Sequence, residues 1–192
     1  MIIVALRNFI CIIGLLAIIP FLCLISLFIY LEDGLPIFFV QKRFGLEKKV
    51  FTIYKIRTMK KNTPQLGTHE VNSQFQLSAG TFVRNLKLDE FPQLLNVLKG
   101  DINLVGPRPG LINQIELEAA RTSNGVFEIK PGITGLSQIL GFDMSDPIRL
   151  AEVDKIYIKN YSNSLNFLIL FGTFFKFPRK YISSKFNISQ NN

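Results

Sequence analysis

Two adjacent carboxylates and an arginine held between two prolines are the residues of this sequence with the clearest capacity for chemistry. Asp89 and Glu90 stand just ahead of an apolar run, and Arg108 lies between Pro107 and Pro109. Adjacent side chains on a helix point about 100° apart, so the two acids cannot share one proton as a stacked dyad. They can approach one cation from two sides, and carboxylate oxygens are ligands that suit Mg²⁺.

Phosphoryl transfer is the chemistry that these residue types would serve together. Proline fixes φ on either side of Arg108, so a stiff loop presents a guanidinium whose fork matches phosphate oxygens. Asp89, with Arg84 about one turn upstream, would stay ionised and could attack phosphorus. The simpler interpretation makes Asp89 a helix N-cap and Glu90 a first-turn residue that suits the helix dipole. Both interpretations start a helix near Asp89, because Pro92 is accepted only in a first turn.

The composition indicates one domain of ordinary size and an anionic partner. The 192 residues are 48% apolar and carry a formal net charge of +8, which suits nucleic acid, an anionic membrane surface or a phosphorylated substrate. Cys11 and Cys23 both lie in the apolar N-terminal stretch and are expected to be small hydrophobes rather than a disulfide. His69, the only histidine, falls in a polar loop, so His-based catalysis and a zinc site are not expected.

The N-terminal stretch has the length of a membrane segment. Residues Phe9–Leu31 carry no charge and would extend about 35 Å as one helix, more than the hydrocarbon core of about 30 Å. The run is too long for a signal-peptide core and no small-residue cleavage site follows it. Pro20 is expected to kink the helix. Both flanks are basic, so a spanning helix and one that bends back to the same face are both compatible with the pattern.

The remainder of the chain alternates short strand-like and helical stretches. In order, they are a hairpin or two short strands over residues 37–59, a polar loop over 61–79, a helix over 81–98, a short strand and stiff loop over 100–110, a helix over 111–121, a turn-rich segment over 130–138 that enters a strand, and a helix over 147–160. Residues 165–182 are aromatic and then basic, so they either lie in the plane of a membrane surface or pack as an ordinary core helix.

Four blocks in this order carry a family resemblance: "VFTIYKIRTM", "LKLDEFPQLLNVLKGDINLVGPRP", "KPGITGLSQ" and "VDKIYIKNYS". The chain resembles the bacterial sugar transferases, the monotopic polyprenyl-phosphate phosphoglycosyltransferases in their small, catalytic-domain-only form, from the N-terminal helix to about Phe175. The resemblance implies transfer of a phospho-sugar from a nucleotide diphosphate sugar, usually UDP-linked, to undecaprenyl phosphate, with release of UMP. The product would initiate a lipopolysaccharide, capsule or glycoprotein glycan.

The resemblance also implies roles for individual residues. Asp89 would form the covalent intermediate and would hold Mg²⁺ together with Glu90. The positions expected around the phosphates are Lys55, Arg57, Arg84 and Arg108, the last with its flanking Pro107 and Pro109. Asp154 falls on a later acidic position of the family and is expected to be an accessory acid.

The architecture implied is an α+β fold in which a re-entrant membrane helix, broken at Pro20, precedes a small helix-rich globular domain with a short β-hairpin and an interfacial C-terminal helix. The expected boundaries are 1–32 for the membrane helix, 33–182 for the catalytic domain and 183–192 for a flexible tail. The domain would face the cytoplasm on the bacterial inner membrane. Undecaprenyl phosphate, the nucleotide sugar, the membrane, a second copy of the chain and downstream glycosyltransferases are the expected partners; nucleic acid is not.

Three positions depart from the family pattern, and two other functions compete. Ile19 replaces the serine that often precedes the helix-breaking proline, Leu136 replaces a tryptophan, and Phe142 stands where the family usually has an arginine. The last two changes bear on sugar or nucleotide recognition. A membrane-tethered basic binding module would explain the charge and the anchor, but would leave Asp89 and Glu90 unexplained. An inactive scaffold of a glycan-assembly complex is the other alternative.

Overall fold

A computed structural model describes residues 2–63 and 75–189. It is an α+β fold, 59% helical, with a long apolar N-terminal helix and a short antiparallel hairpin, which confirms the coarse prediction. The chain forms two compact units, the first from Met1–Gln41 and Thr52–Gly100, the second from Lys42–Phe51 and Asp101–Asn192. His69 and most of the predicted loop over 61–79 lie outside the described residues.

The first helix, α1, spans Ile2–Asp33 and is about 48 Å long at 1.5 Å per residue. It is the one helix in the described part of the chain that is long and apolar enough to cross a membrane. One face is buried within the first unit, at Cys11, Ile18, Ile25 and Ile29, a spacing that repeats on one side of a helix. The helix continues through Pro20, so a return to the same face would need a bend within the helix.

The predicted hairpin is present. Strands β1 (Phe38–Phe44) and β2 (Val50–Ile56) pair with each other, and the 3₁₀ helix Leu46–Lys48 lies between them. At the C-terminal end of β2, Ile56 packs with Ile25 and Ile29 of α1 in the core of the first unit. This strand therefore brings Lys55 to the surface of a well-packed core.

The helix predicted over residues 81–98 is divided into three pieces. They are α2 (Gly80–Asn85), the 3₁₀ helix Leu88–Gln93 and α3 (Leu94–Lys99). Lys87, with φ 56°, takes a left-handed conformation between the first two. Pro92 has no N–H to donate and clashes with the preceding turn of an α-helix, which favours the short 3₁₀ form around it. The predicted helix start at the acidic pair is confirmed, but as 3₁₀ rather than α-helix.

The second unit is built around two short parallel strands. β3 (Asn103–Val105) pairs with β4 (Gly132–Thr134). The helices of this unit are α4 (Ile115–Ser123), the 3₁₀ helix Val126–Glu128, α5 (Leu136–Ile139), α6 (Pro147–Lys159), α7 (Asn163–Phe174) and α8 (Lys176–Phe186). A side chain at Gly132 would overlap the backbone of Val105 and Gly106, so glycine is required where the chain segments meet.

Helices α5 to α8 cover the strands with one hydrophobic core. Ile169 of α7 and Ile182 of α8 are fully buried in it. The hydroxyl of Tyr157 donates to Asn166 Oδ1 at 2.8 Å, and burial raises the pKa of this hydroxyl above its usual value, so it remains a neutral donor.

Several predicted boundaries differ from the observed ones. α4 begins at Ile115 rather than Leu111. Leu111 instead forms an isolated antiparallel bridge with Arg43, and its N–H donates to Gln114 Oε1 at 3.0 Å. Residues 165–182 belong to two helices, since Phe175 adopts an extended conformation between them. α8 continues to Phe186, four residues beyond the predicted end of the catalytic domain at 182.

Candidate active site

The two carboxylates lie in the first turn of the 3₁₀ helix Leu88–Gln93. Asp89 is only 8% exposed, and Glu90 is half-buried. The N–H of Glu90 donates to the carbonyl of Lys87 at 3.2 Å, which closes the turn that carries both acids. Burying a carboxylate costs free energy that its surroundings must offset, so Asp89 is not placed as an ordinary surface acid.

Lys55 is a basic residue that contacts Glu90, the second acid of the pair. Its Nζ lies 2.8 Å from Glu90 Oε1, and both side chains are 15% exposed. Asn96, fully buried, holds strand β2 against α3 by donating to Thr52 O at 2.7 Å and accepting from Tyr54 N at 3.3 Å. The Lys55 ammonium therefore reaches Glu90 from a strand that Asn96 holds just before Lys55.

Arg84 and Arg57 have different surroundings. Arg84 Nε donates to Thr58 Oγ1 at 2.7 Å, which fixes the inner end of its side chain. Arg57 is buried and bonds to the Asp33 carboxylate and, at 2.5 Å, to Gly34 O. The guanidinium of Arg57 thus ties the end of α1 to the segment that follows β2. Its predicted contact with phosphate stays a prediction.

In the second unit, the loop around Arg108 is held along its backbone. Gly106 N donates to Thr134 O at 2.9 Å, and Gly132 N donates to Pro107 O at 2.9 Å. At the far end of the loop, Phe44 N donates to Gly110 O at 3.1 Å and Arg43 Nη1 to Pro109 O at 3.2 Å. These bonds add to the stiffness that the two prolines predict.

Asp154 is not exposed to a ligand but buried in an ion pair. It is 1% exposed, and Arg121 is 2% exposed. Asp154 Oδ2 accepts from Arg121 Nη2 at 2.6 Å and from Nε at 3.1 Å, and Oδ1 accepts from Ser137 Oγ at 2.8 Å. We did not predict a role for Arg121. Its position four residues after the buried Leu117, on the same face of a helix, is the signal that could have found it.

Two of the three departures from the family pattern are core residues. Leu136 is 1% exposed and Phe142 is 7% exposed, and both pack in the hydrophobic core of the second unit. The Arg149 guanidinium lies 5.8 Å from the centre of the Phe142 ring. Within this unit, both residues therefore have a packing role.

The donor set at the acidic pair suits a hard cation that also binds phosphate. Among the described residues, no group of three or more His, Cys, Asp or Glu side chains could hold a metal ion by itself. Mg²⁺ is usually held by one or two carboxylates together with water and substrate phosphates. Asp89 and Glu90 fit that type of site, and Lys55 places a positive charge beside Glu90.

Comparison with known proteins gives a family match over residues 3–180, to the model described as "Bacterial sugar transferase". The chain is 42% identical over 140 residues to "Uncharacterized sugar transferase EpsL" of Bacillus subtilis, covering 73% of this chain and 69% of that protein. It is 34% identical over 171 residues to the "UDP-glucose:undecaprenyl-phosphate glucose-1-phosphate transferase" of Escherichia coli, covering 84% of this chain and 37% of that protein.

A third relative, "Exopolysaccharide production protein ExoY" of Sinorhizobium fredii, is 31% identical over 182 residues, covering 85% of this chain and 80% of that protein. The chain thus spans most of the shorter relatives and little more than a third of the Escherichia coli enzyme. The predicted resemblance is confirmed over nearly the whole chain, and the name of the Escherichia coli relative gives transfer of glucose 1-phosphate to undecaprenyl phosphate. The chain therefore belongs to the bacterial sugar transferase family.

Proposed function

We propose that this protein transfers a sugar phosphate from a UDP-sugar to undecaprenyl phosphate, giving undecaprenyl-diphosphate-sugar and UMP. The observation that carries the proposal is the buried Asp89 beside Glu90, with Lys55 Nζ 2.8 Å from the second carboxylate. The names of the relatives, several of which act on undecaprenyl phosphate, support the same reaction class.

The reaction would proceed in two displacements at one phosphorus atom. A carboxylate oxygen of Asp89 attacks the β-phosphorus, which bears the sugar, and the bond from this phosphorus to the bridging oxygen breaks. UMP leaves with that electron pair, and the sugar phosphate remains on Asp89 as an acyl phosphodiester. An oxygen of undecaprenyl phosphate then attacks the same phosphorus and releases the Asp89 carboxylate. Positioning and charge neutralisation supply most of the rate in such transfers.

Mg²⁺ is the proposed cofactor, held by Asp89 and Glu90 together with phosphate oxygens of the donor. When bound, it would neutralise the charge that develops on the diphosphate. Lys55 would take part in the same neutralisation, because its bond to Glu90 keeps a cation at the acidic pair. Arg84 and Arg108 are proposed phosphate ligands, and arginine forks suit phosphate oxygens.

We further propose that the protein acts at the cytoplasmic leaflet, with α1 re-entrant. Large apolar side chains are exposed along this helix at Phe9, Ile12, Leu16, Phe21, Leu24 and Phe28, as expected for a helix in lipid. In the second unit, α7 and α8 expose Phe171, Phe174, Phe177 and Tyr181 next to several lysines. That combination suits the interface between headgroups and acyl chains.

Labelling from one side of the membrane tests the re-entrant path. In a variant without Cys11 and Cys23, we expect Asn8→Cys and Lys49→Cys to react with an impermeant maleimide in inverted vesicles and not in intact spheroplasts. A spanning helix would instead expose the two cysteines on opposite sides, so that only one of them reacts in each preparation.

A panel of UDP-sugars tests the reaction and identifies the donor. The purified protein is given each sugar with undecaprenyl phosphate, with Mg²⁺ or with a chelator, and UMP and the lipid product are measured. We expect one donor, or a small group, to give both products only when metal is present. Absence of both products across a broad panel would contradict the proposal and would favour the inactive scaffold.

A further inference from the structure

The side chain of Arg121 connects a buried ion pair to the loop that carries Arg108. Its Nη1 donates to the carbonyl oxygen of Arg108 at 2.6 Å, while its Nε and Nη2 bind Asp154 at 3.1 and 2.6 Å. One planar guanidinium thus joins helix α4, helix α6 and the Pro107–Pro109 turn, all within the second unit.

The hydrogen bond from Arg121 Nη1 to Arg108 O holds the centre of this loop. Proline at 107 and 109 fixes φ at two positions, but it does not fix the orientation of the peptide plane that contains the Arg108 carbonyl. The carbonyl oxygen of Arg108 accepts from the guanidinium of Arg121, which is only 2% exposed. Arg108 itself is half-buried, so its side chain reaches the surface of the unit.

Asp154 and Ser137 complete the arrangement from the other side. A buried arginine without a carboxylate would carry a large desolvation cost. Asp154 offsets that cost with two bonds to Arg121, and Ser137, fully buried, fixes its second oxygen at 2.8 Å. Both oxygens of the Asp154 carboxylate therefore accept hydrogen bonds from buried groups of the protein.

We propose that Arg121 is a positioning residue, which fixes the Arg108 backbone so that the Arg108 guanidinium is presented in one geometry to a phosphate group, and that Asp154 acts only through Arg121. This rests on the proposed function, in which Arg108 binds a phosphate of the donor. It replaces the expectation that Asp154 is an accessory acid.

Two measurements on Arg121→Lys test the proposal. Lysine keeps a positive charge beside Asp154, but its three donors lie on one nitrogen, so it cannot reproduce the planar fork that reaches Asp154 and Arg108 from different nitrogens. First, hydrogen exchange of peptides that cover residues 106–111 is compared with wild type. Second, kcat/KM for the donor is measured in a cycle of Arg121→Lys, Arg108→Ala and the double variant. Arg149→Lys, which changes an exposed arginine of α6, is the matched control.

We expect faster exchange over 106–111 in Arg121→Lys, and a loss of about 10-fold or more in kcat/KM, mostly in KM, since an ordered phosphate ligand would be lost. In the Arg108→Ala background the same change should cost almost nothing, whereas a merely structural role would give the same loss in both backgrounds. Unchanged exchange, or equal losses, would overturn the proposal. If wild type shows no turnover with any donor, the proposed function fails, and exchange alone decides whether Arg121 holds the loop.

Discussion

Replacing Asp89 by asparagine is expected to lower the rate of UMP release by at least about 10³-fold, because the amide cannot form the covalent bond to phosphorus. Asparagine has nearly the same shape as aspartate, and a backbone bond from Glu90 N to Lys87 O closes the turn that carries residue 89. Folding should therefore be preserved. Steady-state UMP release, measured with saturating donor and undecaprenyl phosphate, checks this prediction.

Asp146→Asn is the matched control for that experiment. Asp146 caps α6 by accepting from Arg149 N at 3.0 Å, and asparagine is an equally good cap. It makes the same chemical change at an exposed position, so it should leave both turnover and thermal stability unchanged. If Asp89→Asn kept more than a tenth of wild-type turnover, Asp89 could not be the nucleophile.

Replacing Asp154 by alanine is expected to have the largest effect on stability. Arg121 would be left as a buried charge without a partner, and breaking one side of such a pair typically costs about 3–5 kcal/mol. Ser137 would lose its acceptor in addition. The free energy of unfolding, from denaturant or thermal titration in detergent, measures the loss. A change under about 1 kcal/mol would contradict the buried geometry.

An apolar replacement of both partners separates stability from function. Arg121→Met combined with Asp154→Leu removes both charges together, so most of the stability lost in Asp154→Ala should return. The carbonyl of Arg108 would still lack its donor, so kcat/KM for the donor should stay low. Recovery of turnover together with stability would mean that the pair serves only to hold the fold.

The segment around the acidic pair was predictable in its position and less so in its form. Hydrophobic spacing and Pro92 placed a helix start at Asp89, and the structure has a helix there. The division into three pieces was not predicted, because the left-handed conformation of Lys87 has no signal in residue type; glycine or asparagine would have given one. The helix predicted over 147–160 is observed as α6, Pro147–Lys159, since proline in the first turn is a strong signal for a helix start.

The roles of charged residues were harder to predict than the elements that carry them. Lys55 and Glu90 are 35 positions apart, and no local pattern indicates that they bond. The family resemblance indicated Arg57 and Asp154 as site residues, and the structure shows bonds that the resemblance did not indicate, from Arg57 to Asp33 and from Arg121 to Asp154. Partners that are distant in sequence decide whether a charge faces a ligand or the core, and only the packed fold shows them.

The most direct test of the account is an incubation of the protein with its UDP-sugar and Mg²⁺ in the absence of undecaprenyl phosphate. A covalent intermediate on Asp89 predicts release of about one UMP per active molecule, with a mass gain of one sugar phosphate on the protein, because the first displacement needs no acceptor. The adduct should map to Asp89, should be absent from Asp89→Asn, and should disappear when undecaprenyl phosphate is added. UMP release that requires the acceptor, with no adduct on the protein, would contradict the covalent route.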